Sequence, residues 1–181
     1  MPLTPRDPPY DTAVSADLEG LMPPGMPAIA LFRVLAHNPR ILSRFRAGRL
    51  LDDGVLAARD RELLILRTCF VCRCEYEWGV HAAAFAPKVG LTEADVLATC
   101  ASPATWASLP TREALLLRVA DALVADRRLD PALQEHSANC LTQAELVEVL
   151  AIVARYVWVS MVANVAQLAA EPGARRFPQA S

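Results

Sequence analysis

Two apolar, helix-patterned runs separated by a few residues constrain this chain more than any other feature. The first is Arg59-Asp60-Arg61-Glu62-Leu63-Leu64-Ile65-Leu66-Arg67, and the second opens at Cys74-Glu75-Tyr76-Glu77-Trp78-Gly79-Val80-His81. At about 100° per residue, Cys74, Glu77, Trp78, His81 and Phe85 fall within one stripe of the second helix. Three of those five exchange protons, where an ordinary core helix presents Leu, Ile and Val.

The rest of the chain agrees with a helical protein. Hydrophobic residues make up 54% of the 181 residues and aromatics only 6%. Alanine, leucine and valine dominate, which favours closely packed helices over a sheet. Nowhere do β-branched residues alternate strictly between turn signals. The expected fold is all-α, with helices over about 28–37, 39–50, 57–72, 75–86, 93–101, 111–126, 131–138 and 142–169. Asn38-Pro39 breaks the first run, because the residue before proline is pushed out of the α region. Gly90 ends the reactive helix, and Thr92, Thr111 and Thr142 each open a helix with a hydroxyl able to cap orphan amides. Thr142-Gln143-Ala144-Glu145 matches the capping box.

Half of the 14 prolines lie in the first 27 residues, so residues 1–27 read as an extended arm of poor helical potential. Residues 28–172 read as one all-α domain and 173–181 as a tail. Net charge is −2 with basic residues scattered among acids, which argues against nucleic acid. The apolar stretch from Leu146 to Ala170 is interrupted by Glu148 and Arg155, so no membrane span is expected. The N-terminus shows no secretory pattern, and a cytoplasmic location is the expectation. Five cysteines, at 69, 72, 74, 100 and 140, read as free thiols or a redox pair before a disulfide framework. A metal site has little support, and no glycine-rich phosphate loop suggests a nucleotide, so no cofactor is expected.

Each candidate residue has a plain alternative. Glu62 is either a first-turn glutamate paired with Arg59, Arg61 or Arg67, or a buried proton carrier facing His81. Glu77 and His81 stand four apart and can touch, either as a surface pair or with Glu77 holding the imidazole tautomer. Cys74 falls at the start of its helix, where the dipole favours thiolate. Cysteine is also a common small core residue.

At these residues the chain resembles the carboxymuconolactone decarboxylase and alkylhydroperoxidase D superfamily. The match runs over Arg59 to Arg67, then Cys74-Glu75-Tyr76-Glu77-Trp78 with His81, then Gly90-Leu91-Thr92, and more loosely from Leu31-Phe32 to the closing helix with Tyr156 and Asn164. It looks like the subgroup carrying a Tyr-Glu-Trp signature where the peroxidase branch has the second half of Cys-x-x-Cys. Glu62, Cys74 and His81 stand at the positions of that branch's glutamate, first cysteine and histidine, but Glu77 replaces the resolving cysteine. The resemblance implies an all-α subunit assembled as trimers or hexamers, and a dimer is also open.

The expected activity is cofactor-independent proton transfer at carbon on a small carbonyl- or carboxylate-bearing molecule: decarboxylation, isomerisation, or elimination and addition. Glu62 and His81 would exchange the proton and Glu77 would orient His81. Tyr76 or Cys74 would donate to a developing enolate, and Trp78 and Phe85 would line the pocket. The alternatives are a thiol peroxidase using Cys74 with Cys72 or Cys69, and a non-catalytic binding or assembly protein. A homo-oligomer is expected because the closing helix is apolar on more than one face.

Overall fold

The protein is described here by a computed structural model covering residues 2–179. Its α-helices in chain order are α1 (Thr12–Leu21), α2 (Ala30–Leu35), α3 (Pro39–Ala47), α4 (Ala58–Val71), α5 (Glu75–Ala84), α6 (Glu93–Ala98), α7 (Thr111–Asp126), α8 (Pro131–Cys140) and α9 (Gln143–Val165). Short 3₁₀ turns at Ala86–Val89 and Pro103–Ser108 complete the set, and no strand occurs among the described residues.

α4 is the axis of the domain, packed by α5, α7 and α9. All ten residues from Asp60 to Cys69 are buried, which is why this run shows no amphipathic stripe. Leu63, Leu64, Ile65 and Leu66 supply the apolar filling, each stabilising by about 1.5–3 kcal/mol when fully buried. Asp60, Arg61 and Arg67 among them find polar partners in neighbouring segments. Arg112 donates to Asp60 at 2.8 Å, Arg61 to the Asp52 carbonyl at 2.7 Å, and Arg67 to both oxygens of Asp121 at 2.6 and 2.8 Å.

Helix ends follow local chemistry. Asn38 accepts from the Ile41 amide, and reciprocal capping boxes form at Thr92–Asp95 and Thr142–Glu145. Gly90 sits in the left-handed region at φ 74, where a Cβ would strain the turn out of the first 3₁₀ segment. Thr111 behaves otherwise than expected: it is already helical, Pro110 precedes it without a side-chain cap, and Glu113 pairs with Arg59.

The Pro-rich start is not wholly extended. α1 lies between its two proline clusters, capped by Asp11 and buried through Val14 and Leu18 against α3. The prolines flank the helix instead of entering it, so they break nothing.

α9 is long and apolar enough by length and composition to cross a membrane, with a mean hydropathy of 1.9. Here Val149, Ile152, Val153, Tyr156, Val159, Ser160 and Ala163 are buried in the domain. Its two mid-helix charges are tied down beside α3 and α4. Glu148 accepts from the Val55 and Leu56 amides, and Arg155 donates to the Gly48 and Phe45 carbonyls.

Residues Glu171 to Phe177 form a strap across α5. The Arg175 amide donates to the Gly79 carbonyl at 3.1 Å, and a Cβ at Gly79 would run into the Arg175 carbonyl. Only glycine leaves room for two backbones to approach this closely. Arg175 then pairs with Glu93 and Arg176 with Glu75, while Phe177 packs on Phe70 and Trp78.

Candidate active site in the α4–α5 hairpin

Glu62 on the first turns of α4 meets His81 late on α5, as an antiparallel hairpin requires. Glu62 Oε2 lies 2.7 Å from His81 Nδ1, with the two residues 1% and 2% exposed. None of the three nearby arginines reaches Glu62: Arg59 turns to Glu113 and Asp95, Arg61 to Asp52, and Arg67 to Asp121. The arginine pairing open at the sequence level is therefore replaced by the imidazole contact.

The other ring nitrogen faces two groups. Tyr156 places its hydroxyl 3.2 Å from Nε2, and Glu77 Oε1 stands 3.4 Å away. Phe85 stacks on the imidazole at 4.6 Å between centroids, and Tyr156 meets it edge-on at 5.2 Å. Burial alone would lower the His81 pKa, but the charges and hydrogen bonds of Glu62 and Glu77 outweigh it and raise it to about 9. At neutral pH the ring is thus an imidazolium whose Nδ1–H donates to Glu62. After it loses a proton, Nε2 accepts from Tyr156, whose own pKa is driven well up by burial and by the Glu77 and Glu62 charges. The arrangement holds one proton at Nε2, ready to be given or taken back.

One turn along α9 from Tyr156, Ser160 faces the thiols of Cys69, Cys72 and Cys74 closely enough to oppose part of the rise that burial gives their pKa values. It makes no hydrogen bond of good geometry, and Glu77 Oε2 is likewise buried without a partner. A further turn along, Asn164 donates to the Cys72 carbonyl at 3.0 Å. Tyr156, Ser160 and Asn164 thus read the hairpin in three successive layers.

Three sequence-level candidates sit differently from expectation. Tyr76 turns away from the dyad; its hydroxyl donates to Glu171 at 2.5 Å and accepts from the Leu31 amide at 3.1 Å. Trp78 is fully buried under the strap, donating to Thr99 Oγ1 at 3.3 Å, so it lines no pocket at His81. Cys74 is not a helix-terminus thiolate. Burial pushes it up to about 11 against the smaller opposing pull of the Glu77 amide at the helix start. Glu77 and Phe85 are where the stripe placed them, against His81. Tyr156 was not among the sequence candidates.

Two surface clefts lie away from the dyad. One of about 570 Å³ runs between Leu50–Val55 and the first turns of α9, and another of about 310 Å³ is bordered by Arg73, Tyr76, Asn164 and Gln167. Neither is lined by Glu62 or His81. No grouping of His, Cys, Asp and Glu suited to a metal occurs among the described residues.

The Carboxymuconolactone decarboxylase family matches residues 37–122, a span holding Glu62, Cys74, Glu77, His81 and Phe85. A crystal structure of an uncharacterized peroxidase-related protein from Silicibacter sp. TM1040 is similar over 92% of this chain and 91% of that one. Its TM-score is 0.75 at 17% sequence identity, a likeness of fold alone. No protein of curated function matches the sequence. The carboxymuconolactone decarboxylase match ends before α9 and the strap, so Tyr156 and Glu171 lie outside the matched span.

Proposed function

We infer that the protein is a cofactor-independent acid–base enzyme acting on a small carbonyl- or carboxylate-bearing molecule. The observation that carries this reading is the buried 2.7 Å contact between Glu62 and His81, with Nε2 facing a phenol and a second carboxylate. His81 gives or takes the proton at carbon through Nε2, and Glu62 fixes the tautomer and stabilises the imidazolium. Tyr156 steadies Nε2 between steps and is placed to donate to an oxyanion. Substrate reaches Nε2 when the half-buried Phe85 ring swings off the imidazole. Isomerisation and elimination begin with such a transfer, and decarboxylation and addition end with one.

Exchange of solvent deuterium into enolisable lactones and β-keto acids reads that step without knowledge of the final product. Exchange by the native protein that vanishes in Glu62→Gln and His81→Ala supports the assignment. Exchange that persists in both variants removes it.

A thiol peroxidase using Cys74 with Cys72 or Cys69 is the second reading, favoured by the gathering of three free thiols around Ser160. Consumption of hydroperoxide with loss of two thiols per chain distinguishes it. The third reading, a non-catalytic binding or assembly protein, draws on the packing of Phe85 and Tyr156 over the dyad. It predicts no exchange even after Phe85 is trimmed.

A further inference from the structure

α4 ends in a closure ordinarily built on glycine. The Cys74 amide donates to the Cys69 carbonyl at 2.8 Å and the Arg73 amide to the Phe70 carbonyl at 2.9 Å. Arg73 between them sits in the left-handed region at φ 53. This crossed pair of bonds is the Schellman arrangement, which brings the side chain three residues before the helix end against the side chain two residues beyond the cap. In most proteins that contact is apolar. Here the two positions are held by Cys69 and Cys74, both fully buried and both free thiols.

The neighbourhood singles out this pair among the three sulfurs. Cys69 and Cys74 are both fully buried at the two positions that the closure pairs. Cys72, at the cap itself, is the half-buried member and the one open to an approaching reagent. Burial raises all three thiols, so exchange is slow at neutral pH and enters through Cys72.

We propose that Cys69 and Cys74 form a redox modification site, closing to an intramolecular disulfide by exchange with a small-molecule disulfide. Cys72 attacks the reagent R–S–S–R, forming a mixed disulfide and releasing one R–SH. Cys74 attacks the Cys72 sulfur and releases the second R–SH, and Cys69 then attacks Cys74 and returns Cys72 to the thiol. In sum two S–H bonds break, one S–S bond forms, and the two electrons and two protons leave on two molecules of R–SH. The product staples the end of α4 to the start of α5, one turn from Glu77. The acid–base reading does not need this site, and the site requires no peroxide turnover. It names the pair within the thiol reading.

Oxidised glutathione at mildly alkaline pH is the probe, applied to the full chain in its native state. Trypsin cuts after Arg67, Arg73 and Lys88, separating Cys69 and Cys72 on one peptide from Cys74 on the next. The expected result is the loss of two thiols per chain and a linked pair of these peptides, with fragmentation placing the bridge on Cys69. Cys72→Ser should still give the linked pair, more slowly, and Cys69→Ser should not give a bridge to residue 69 by construction but should leave deuterium exchange intact. A bridge confined to the first peptide, a bridge to Cys72, or no bridge in the native protein overturns the proposal. Bridge formation without any consumption of hydroperoxide leaves it standing and removes the peroxidase reading.

Discussion

Tyr156 points its hydroxyl at Nε2 of His81 from 3.2 Å, at the ring nitrogen opposite the one Glu62 holds. With Nδ1 committed to the carboxylate, every proton the ring trades passes Nε2, and Tyr156 is the neutral group beside it. Tyr156→Phe is expected to lower kcat of the deuterium exchange while leaving KM within a factor of two. An oxyanion or proton-relay donor is commonly worth about 10²–10³ in rate. An unchanged kcat would confine Tyr156 to packing.

The raised pKa of His81 makes stability depend on pH in one direction. Its folded value of about 9 exceeds the ordinary histidine value of 6.5, so the protonated ring stabilises the fold fully below about 6.5 and that stabilisation is lost as pH rises through 9. The loss is on the order of 3 kcal/mol across that window. Urea unfolding at pH 6, 7.5 and 9.5 should show native stability falling at the upper end. Glu62→Gln should flatten the difference, because the largest favourable charge on the ring is gone.

Phe85 covers the imidazole on one face. Phe85→Ala should expose one face of His81 to water, shift its pKa upward as part of the opposing burial is relieved, and admit bulkier substrates. The readout is the pH titration of the His81 ring proton resonance, together with turnover on a size series of lactones. A ring whose titration does not move would show that Phe85 is no barrier.

Tyr76 holds Glu171 and the Leu31 amide together. Tyr76→Phe is expected to cost about 1–3 kcal/mol through the unpaired buried groups it leaves. Proton exchange at the dyad should survive. Loss of exchange with stability intact would return Tyr76 to the site.

The outward side of α9 carries Val147, Leu150, Trp158, Met161 and Val165, between 36% and 70% exposed. A face of this kind is expected to be covered by further copies of the chain. Light scattering at micromolar concentration should give a mass well above the 19.7 kDa of one chain. Met161→Glu should shift it downward.

Most of the helical order was legible because each break has a local chemical cause: Asn38-Pro39, Gly90, and the capping boxes at Thr92 and Thr142. α1 was hidden by proline count, since position relative to Asp11 matters more than number. The Glu62–His81 meeting was legible from the short hairpin connection. Tyr156 was not, because a lone tyrosine in a valine-rich helix reads as core and its partner is 75 residues away. Trp78 misled for a geometric reason: it lies about 100° round from Glu77, at the edge of the stripe that turns towards the strap. Nothing in the tail's sequence announces that Arg175 and Phe177 will cover that edge. The demand is visible only as a glycine at position 79.

The spacing of Tyr156, Ser160 and Asn164 on one helix has a mechanical consequence. α9 behaves as a rod, and a roll of about 20° about its axis carries side-chain tips roughly 6 Å out through about 2 Å. That displacement is enough to part Tyr156 from His81, and the same roll moves Ser160 off the thiols and Asn164 off the hairpin turn. The proton-carrying layer and the sulfur layer therefore share one degree of freedom. Whatever grips the outer side of the rod sets the alignment of both at once.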